Sequence, residues 1–263
     1  MINCEDRVRM ERAHVLAWPA LRTVDIEGWL WRSSGGGSQR ANSVSTIDFH
    51  GAGAEAAVLR VESCYRALGQ AARFHTFEET SPAGMEDLLR RRGYRESEST
   101  ITMFKRVEGR DAVAGIEVRG DAWAGWRNVY LGGITENRRA VNSLILHRIQ
   151  APRAFFGLAR GGETIATALC VVGFGCAVIE CVATRPDARR QGAARCVLEA
   201  VERWAGGQSA DWLGLQVVAS NAAAVGLYKR LGFFVSAVNR FWVEGLPDIN
   251  CRKSHAPDDA PDD

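Results

Sequence analysis

The chain has 263 residues, enough for two domains of ordinary size, and its hydrophobic fraction of 46% can supply real cores. With 33 basic and 31 acidic side chains its formal charge is only +2, which excludes the concentrated basic face of a nucleic-acid binder. No run approaches the length needed to cross a bilayer, and the first residues lack the apolar core of a signal peptide, so a cytoplasmic protein is expected.

A helix is expected over about 1–16, then a hairpin with arms at 23–32 and 41–47 around the serine- and glycine-rich turn 33–38. Ala57, Val58, Val61, Cys64, Tyr65 and Leu68 form one stripe, which predicts a helix over 55–68. A strand at 74–77, a helix at 82–92 ended by Gly93, and a strand at 97–104 complete the first half. The polar stretch around 107–119 reads as a linker. Helices at 122–130 and 136–149 follow, then strands at 154–160 and 163–172 joined at Gly161-Gly162. A strand at 178–184, a loop, a helix to about Trp204, a strand at 213–218, a short helix from Asn221 and a strand at 234–243 close the second half. The tail from Pro247, rich in proline and aspartate, is expected to be disordered.

The ends of the two halves rhyme. Strand, helix, Arg92-Gly93-Tyr94 and strand echo strand, helix, Leu231-Gly232-Phe233 and strand, which suggests duplication followed by loss.

Two segments carry the chemistry. After the 178–184 strand, Arg189-Arg190-Gln191-Gly192-Ala193-Ala194 opens a helix with the apolar stripe Ala194, Val197, Leu198, Val201 and Trp204. Arg195, Glu199, Glu202 and Arg203 are expected to face outward, with Glu199 and Arg203 spaced for an ion pair. First-turn amides lack intrahelical partners and the helix dipole adds positive charge, so a phosphate suits this position. Gly192 lets a ligand approach the backbone, Ala193 and Ala194 keep the approach open, and Arg189 and Arg190 can add charge-assisted contacts. The bland alternative is a strand-to-helix turn with incidental arginines. In the second segment Ser220 or Asn221 can cap a helix, and Ala224, Leu227, Tyr228 and Leu231 form its buried stripe. Lys229 and Arg230 suit its last turn, and Gly232 its left-handed end. None of that requires a tyrosine at 228.

Together these residues resemble the GNAT superfamily of N-acetyltransferases. Its Arg/Gln-x-x-Gly-x-Gly/Ala motif is matched by Arg189, Gly192 and Ala194. Its Asn-x-x-Ala-x-x-Leu-Tyr-x-x-x-Gly-Phe motif is matched by Asn221, Ala224, Leu227, Tyr228, Gly232 and Phe233. The match covers about 120–243. The first half is similar to a degenerate second copy, as in bacterial tandem proteins of this superfamily, and has no Arg-x-x-Gly-x-Ala loop.

The resemblance implies an α/β (α+β) fold of two such domains, each a mixed, mainly antiparallel sheet flanked by helices. The divisions expected are a degenerate domain at 1–106, a linker at 107–119, a catalytic domain at 120–246 and an acidic tail at 247–263. It implies an acetyl-CoA-dependent N-acetyltransferase acting directly on a primary amine of a small molecule. A protein or peptide acceptor, or a non-catalytic acyl-CoA sensor, are the rivals. Acetyl-CoA would lie where the strands at 178–184 and 213–218 splay, its diphosphate on the amides of Gln191, Gly192, Ala193 and Ala194 beside Arg189 and Arg190. Its pantetheine arm would pair with the strand edge at Cys181, Val182 and Ala183, close to Asn221 and Tyr228. Tyr228 would protonate the departing thiolate. Glu180, the carboxylate within that strand, is the candidate to take the amine proton, directly or through water; a strand glutamate pairing with a neighbour is the plain alternative.

The cysteines at 170, 176 and 181 suit no common metal site, the seven cysteines form no C-x-x-C pair, and the five histidines have no ligand-like spacing, so no metal is expected. Gly35-Gly36-Gly37 lacks the Lys-Ser/Thr of a P-loop and reads as a flexible hairpin tip, with Arg40 and Asn42 placed to line a substrate groove. No nucleic-acid or membrane partner is expected, and the oligomeric state is open, with a homodimer considered.

Overall fold

The computed structural model describes residues 3–97, 99–108 and 113–245; the acidic tail lies outside them. The first half supplies α1 (Cys4–Ala17), β1 (Arg22–Ile26), β2 (Trp29–Ser33), β3 (Val44–Ser45), α2 (Ala54–Arg66), β4 (Arg73–Thr76), α3 (Met85–Arg91), β5 (Arg95–Glu96) and β6 (Thr100–Arg106). The second half supplies β7 (Ile116–Arg119), α4 (Ala124–Gly132), α5 (Glu136–Arg148), β8 (Arg153–Arg160), β9 (Glu163–Gly173) and β10 (Cys176–Thr184). It ends with α6 (Ala193–Gly207), β11 (Trp212–Val218), α7 (Ala222–Arg230) and β12 (Phe234–Val243).

Most expected elements are present within a few residues of their anticipated ends. One difference is the arm at 23–32, which is itself a hairpin. Ile26 pairs with Trp29 across a two-residue turn in which Glu27 and Gly28 have φ of 55° and 90°. That geometry matches the right-handed strand twist, and Glu27-Gly28 was its sequence signal. The strand anticipated at 97–104 is β6, shifted to Thr100–Arg106, with the unanticipated short β5 just before it, and the last four residues of the anticipated linker, Ile116–Arg119, form the edge strand β7.

Among the described residues twelve strands make one mixed, mainly antiparallel sheet, in the order β1-β2-β3-β4-β12-β6-β11-β10-β9-β8-β7 with β5 beside β12. The two expected sheets are therefore joined edge to edge through exchanged strands. The last strand of the first half, β6, pairs with β11 of the second, while β12 returns to pair with β4 of the first. Each exchange covers a strand edge that would otherwise expose unpaired backbone. The duplication is visible in the pairing: β3 runs parallel to β4 as β10 runs parallel to β11. It is also visible at the helix ends. Tyr94 N donates to Leu89 O and Phe233 N to Tyr228 O, both at 3.0 Å, behind Gly93 at φ 81° and Gly232 at φ 89°.

Three contacts bind the halves further. Helix α1, from the amino-terminal end, packs on β9 and β10, with Met10, Ala13 and Ala17 buried in the same cluster as Val178 and Trp212. Gly214 leaves the space that Met10 fills, since a Cβ there would lie 2.4 Å from the Met10 sulfur. On the opposite face Lys105 of β6 sits 2.7 Å from Glu202 of α6. The helix thus turns Glu202 inward, not outward as its spacing suggested, because β6 brings a buried cation beneath it. Glu199 pairs with Arg195 instead of Arg203.

Because one sheet and shared clusters run through both halves, they should unfold together. Met10→Ala is expected to lower stability by about 2–5 kcal/mol through lost burial and a residual cavity. Urea unfolding followed by tryptophan fluorescence and far-UV dichroism should show one coincident transition for both proteins; two separated transitions would contradict it.

Candidate active site

The parallel pairing of β10 with β11 runs from Cys176↔Trp212 to Ile179↔Leu215 and stops. Beyond it Ala183 and Thr184 stay with β9, while Gln216, Val217 and Val218 stay with β6. The strands therefore open into a wedge, as anticipated. The register of β10 breaks between Glu180 and Ala183, and Cys181 sits there at φ 56°. Such a bulge re-aims the residues around it. The Cys181 carbonyl accepts from Thr167 Oγ1 at 3.2 Å, which fixes the turned segment against β9.

At the mouth of the wedge α6 begins. Gly192 is its N-cap at φ 84°, a left-handed position that glycine adopts without strain, and no side chain caps the first turn. A Cβ at Gly192 would meet nothing within 4 Å, so the backbone there is open to a ligand. Arg189 and Arg190 are exposed beside it. The Gln191 side chain is held by Arg160, and its amide nitrogen donates to Asp187 O. Open amides, the dipole of a fifteen-residue helix and two exposed guanidinium groups without an acidic partner among the described residues, one of them donating to Thr184 O at 3.3 Å, fit a diphosphate.

Helix α7 starts as the spacing predicted, with Asn221 Oδ1 accepting from Ala224 N at 3.1 Å. Of its expected stripe, Tyr228 is the buried member, packed on Phe233 with ring centroids 6.0 Å apart. The Tyr228 hydroxyl has no hydrogen-bond partner among the described residues. Burial, reinforced by the negative charge of Glu180, pushes its phenol up to about 12. It therefore holds its proton throughout the neutral range.

Glu180 is 8% exposed and clamped by Arg40 from the first half, with Nη1–Oε1 and Nη2–Oε2 both 2.6 Å. Burial opposes its ionisation, but the Arg40 charge, aided by His14 with Nδ1 3.8 Å away, holds the carboxyl well below the usual carboxylate range. Arg40 thus grips the candidate site residue itself, where the sequence suggested it as part of a groove wall. Behind this pair lies a polar seam that sequence reasoning missed. Glu11 of α1 accepts from Thr102, Asn239 and Gln216 at 2.8 to 3.0 Å, and Asn239 also meets His75 Nε2 at 3.0 Å. Burial drops the His75 imidazole to about 4, so it is neutral at pH 7. Arg32, 4% exposed, has Nε and Nη1 without partners among the described residues, and burial beside Arg40 lowers its guanidinium to about 10. Apolar periodicity gave no signal for these groups, because each is polar within an otherwise buried segment.

The glycine-rich loop also differs from the flexible tip expected. Asn42 Nδ2 donates to the carbonyls of Gly36 and Ser38, and its Oδ1 accepts from Ser34 N, so the loop is pinned. It rests on α5 of the second half, where a Cβ at Gly37 would lie 2.8 Å from Asn142 Oδ1. Asn142 in turn donates to the Tyr130 hydroxyl at 2.9 Å, and Tyr130 reaches Cys181 at the bulge. In the first half, the segment that follows β3 is filled by the β1–β2 turn, with His50 N donating to Glu27 O at 2.9 Å. The six described cysteines are free, and no cluster of three or more His, Cys, Asp or Glu suited to a metal occurs among the described residues. No described helix is long and apolar enough to cross a membrane.

Residues 117–233 match the model of the Acetyltransferase (GNAT) family. An uncharacterized N-acetyltransferase of Bacillus subtilis, YobR, is 26% identical over 245 residues, which is 87% of this chain and 95% of that one. The ribosomal protein bS18-alanine N-acetyltransferase of Escherichia coli is 36% identical over 85 residues, spanning 32% of this chain and 57% of that protein. A GCN5-related N-acetyltransferase from Kribbella flavida superimposes with a TM-score of 0.67 over 92% of this chain and 96% of its own, at 15% identity. That structure supports the fold across both halves.

The clamp makes a stability prediction with a definite sign. Glu180 is held below its ordinary value of about 4.3, so its contribution is complete above that pH and fades as pH falls further. Arg40→Ala leaves the carboxylate buried without its cation, at a cost of about 3–5 kcal/mol near pH 7. Burial then dominates and raises the carboxyl, so acidification should narrow the gap between variant and parent. Urea midpoints measured between pH 4 and 8 test this; a gap that is constant or widens on acidification would refute it.

Proposed function

From a chain that carries a GNAT-family acetyltransferase domain over residues 117–233, we propose an acetyl-CoA-dependent N-acetyltransferase that passes acetyl directly to the amine of a small molecule. The observation that carries this reading is the strand wedge opening onto the uncapped, sterically free start of α6. The amides of Gln191, Gly192, Ala193 and Ala194, with Arg189 and Arg190, hold the diphosphate. The re-aimed edge at Cys181, Val182 and Ala183 pairs with the pantetheine arm, near Asn221. Acetyl-CoA brings an activated thioester, and the chain's residues position it and manage protons.

Tyr228 is the proton donor to the departing sulfur, a role suited to a phenol that stays protonated with an uncommitted hydroxyl. Glu180 is too weak a base, under the Arg40 clamp, to strip an alkylammonium by itself. With its charge answered by Arg40 it holds the bulge in place, and the amine proton leaves to solvent water. A backbone N–H of the bulged strand is the natural partner for the developing oxyanion. The first half supplies structure, one wall of the acceptor site and the Arg40 clamp. It binds no carrier of its own, since the β1–β2 turn fills its corresponding loop. A pocket of about 600 Å³ between the halves suits a small acceptor.

Calorimetric titration should show acetyl-CoA binding, and Gly192→Glu should weaken it at least tenfold by placing a like charge against the diphosphate. Binding that survives this change would sink the carrier site. Tyr228→Phe should lower turnover by about 10²-fold with little change in carrier affinity. Unchanged turnover removes its role, and carrier binding without acetylation of any amine in a broad panel would mark a sensor instead.

A further inference from the structure

We infer that the acceptor bears an oxyanion, carboxylate or phosphate, in addition to its amine, and that Arg73 and Arg138 recognise it. This rests on the acyl-transfer reading above and names its substrate class. The pocket between the halves is walled by the glycine-rich loop, by Tyr65, Gln70 and Arg73 of the first half, and by Thr135, Asn137 and Arg138 of the second. Its lining contains two arginines and no carboxylate. Many guanidinium groups in this chain have an acidic partner, as Arg92 has Glu62 and Arg153 has Asp121. Arg73 and Arg138 have none among the described residues, although both are only partly exposed. Arg138 Nε is buried without an acceptor, a donor left at a free-energy cost that a ligand oxygen would relieve.

Two further features favour an anion at the same place. Asn137 and Arg138 lie in the first turn of α5, a thirteen-residue helix whose N-cap, Thr135, makes no side-chain capping bond. Its dipole therefore adds to the two cations. Asn42 Nδ2 donates to the loop carbonyls of Gly36 and Ser38, so acceptors in the pocket wall are already engaged.

The pocket is also linked to the reaction centre by direct contacts. Gly37 packs on Asn142, Asn142 bonds Tyr130, and Tyr130 meets Cys181. Gln39, in the pocket wall, precedes the Arg40 that grips Glu180. The pocket itself offers positive charge, unanswered by any lining carboxylate, to one end of the acceptor. That charge matches a molecule carrying an oxyanion as well as an amine. A neutral amine of the same length leaves both guanidinium groups unanswered.

The test uses the full chain at saturating acetyl-CoA and amines of matched size, each as carboxylate, phosphate, and uncharged amide or alcohol. The expected result is a kcat/KM at least about tenfold higher for an oxyanion-bearing amine than for its uncharged counterpart. Arg73→Gln and Arg138→Gln should each reduce that ratio by about tenfold, and the Lys variants should retain part of it. The carboxylate and phosphate series show which oxyanion is preferred. No preference in the parent, or a preference unchanged in both Gln variants, overturns the inference. Acetyl-CoA binding is measured on the same samples. If the carrier binds and neutral amines turn over equally well, only the inference fails. If the carrier does not bind, the acyl-transfer reading fails, and thermal shifts with the oxyanion-bearing amines alone decide the pocket: a rise absent with the amides and lost in Arg138→Gln supports it, and no rise overturns it.

Discussion

A guanidinium from the first half neutralising a carboxylate in the second is the constraint around which the molecule is organised. Arg40 and Glu180 are 140 positions apart, the carboxylate buried and the guanidinium partly so, and joined by two parallel hydrogen bonds. Taking both charges from water is expensive, and their attraction offsets that only when the geometry is bidentate and both groups are held. Three arrangements hold them. The Asn42-pinned loop fixes the chain around Arg40, the bulge in β10 fixes Glu180, and the exchanged strands fix one half against the other. The wedge, the loop and the sheet exchange are therefore parts of one arrangement, with the candidate site at its centre.

The exchange also ties the first half, which has no Arg-x-x-Gly-x-Ala loop, into the fold of the second. With β6 and β12 crossed, backbone ladders run through the junction, and α1 adds an apolar face to the sheet of the other half. On the proposed function the first half binds no carrier. Its remaining contribution is the Arg40 clamp and the wall holding Arg73, neither of which needs a diphosphate loop.

Much of this was legible in the chain. The capped α7 with Tyr228 buried and the glycine opening α6 follow from local rules of turn, cap and periodicity, whereas the splay was implied only by the family resemblance. The rhyme of Gly93-Tyr94 with Gly232-Phe233 corresponds to matching helix ends, because a left-handed glycine followed by a buried aromatic is itself a local device. What stayed hidden was long-range. Glu202 sits on the face that helical spacing assigns to solvent, and only the arrival of Lys105 from another half turns it inward. Arg40 lies in a short polar stretch with nothing nearby to announce a partner 140 residues away. Buried polar groups that answer one another across a fold leave no periodic trace in sequence.

The charges along the seam are ordered, and the order carries meaning. Glu11, Arg32, Arg40 and Glu180 are two acids and two guanidinium groups in one buried band, with His75 neutral between them, so the band needs no external ion for balance. The free cations lie outside it on two sides: Arg189 and Arg190 at the start of α6, Arg73 and Arg138 in the pocket between the halves. A neutral core with unanswered positive charge at both ends suits two anionic partners that approach from opposite sides and meet at the bulge. On the proposed function one is the diphosphate of the carrier, and on the further inference the other is the acid group of the acceptor. Burial and the charge of Glu180 hold the Tyr228 phenol high, while Arg40 crossing from the other half holds the Glu180 carboxyl low, so at neutral pH the phenol keeps its proton and the carboxylate stays ionised.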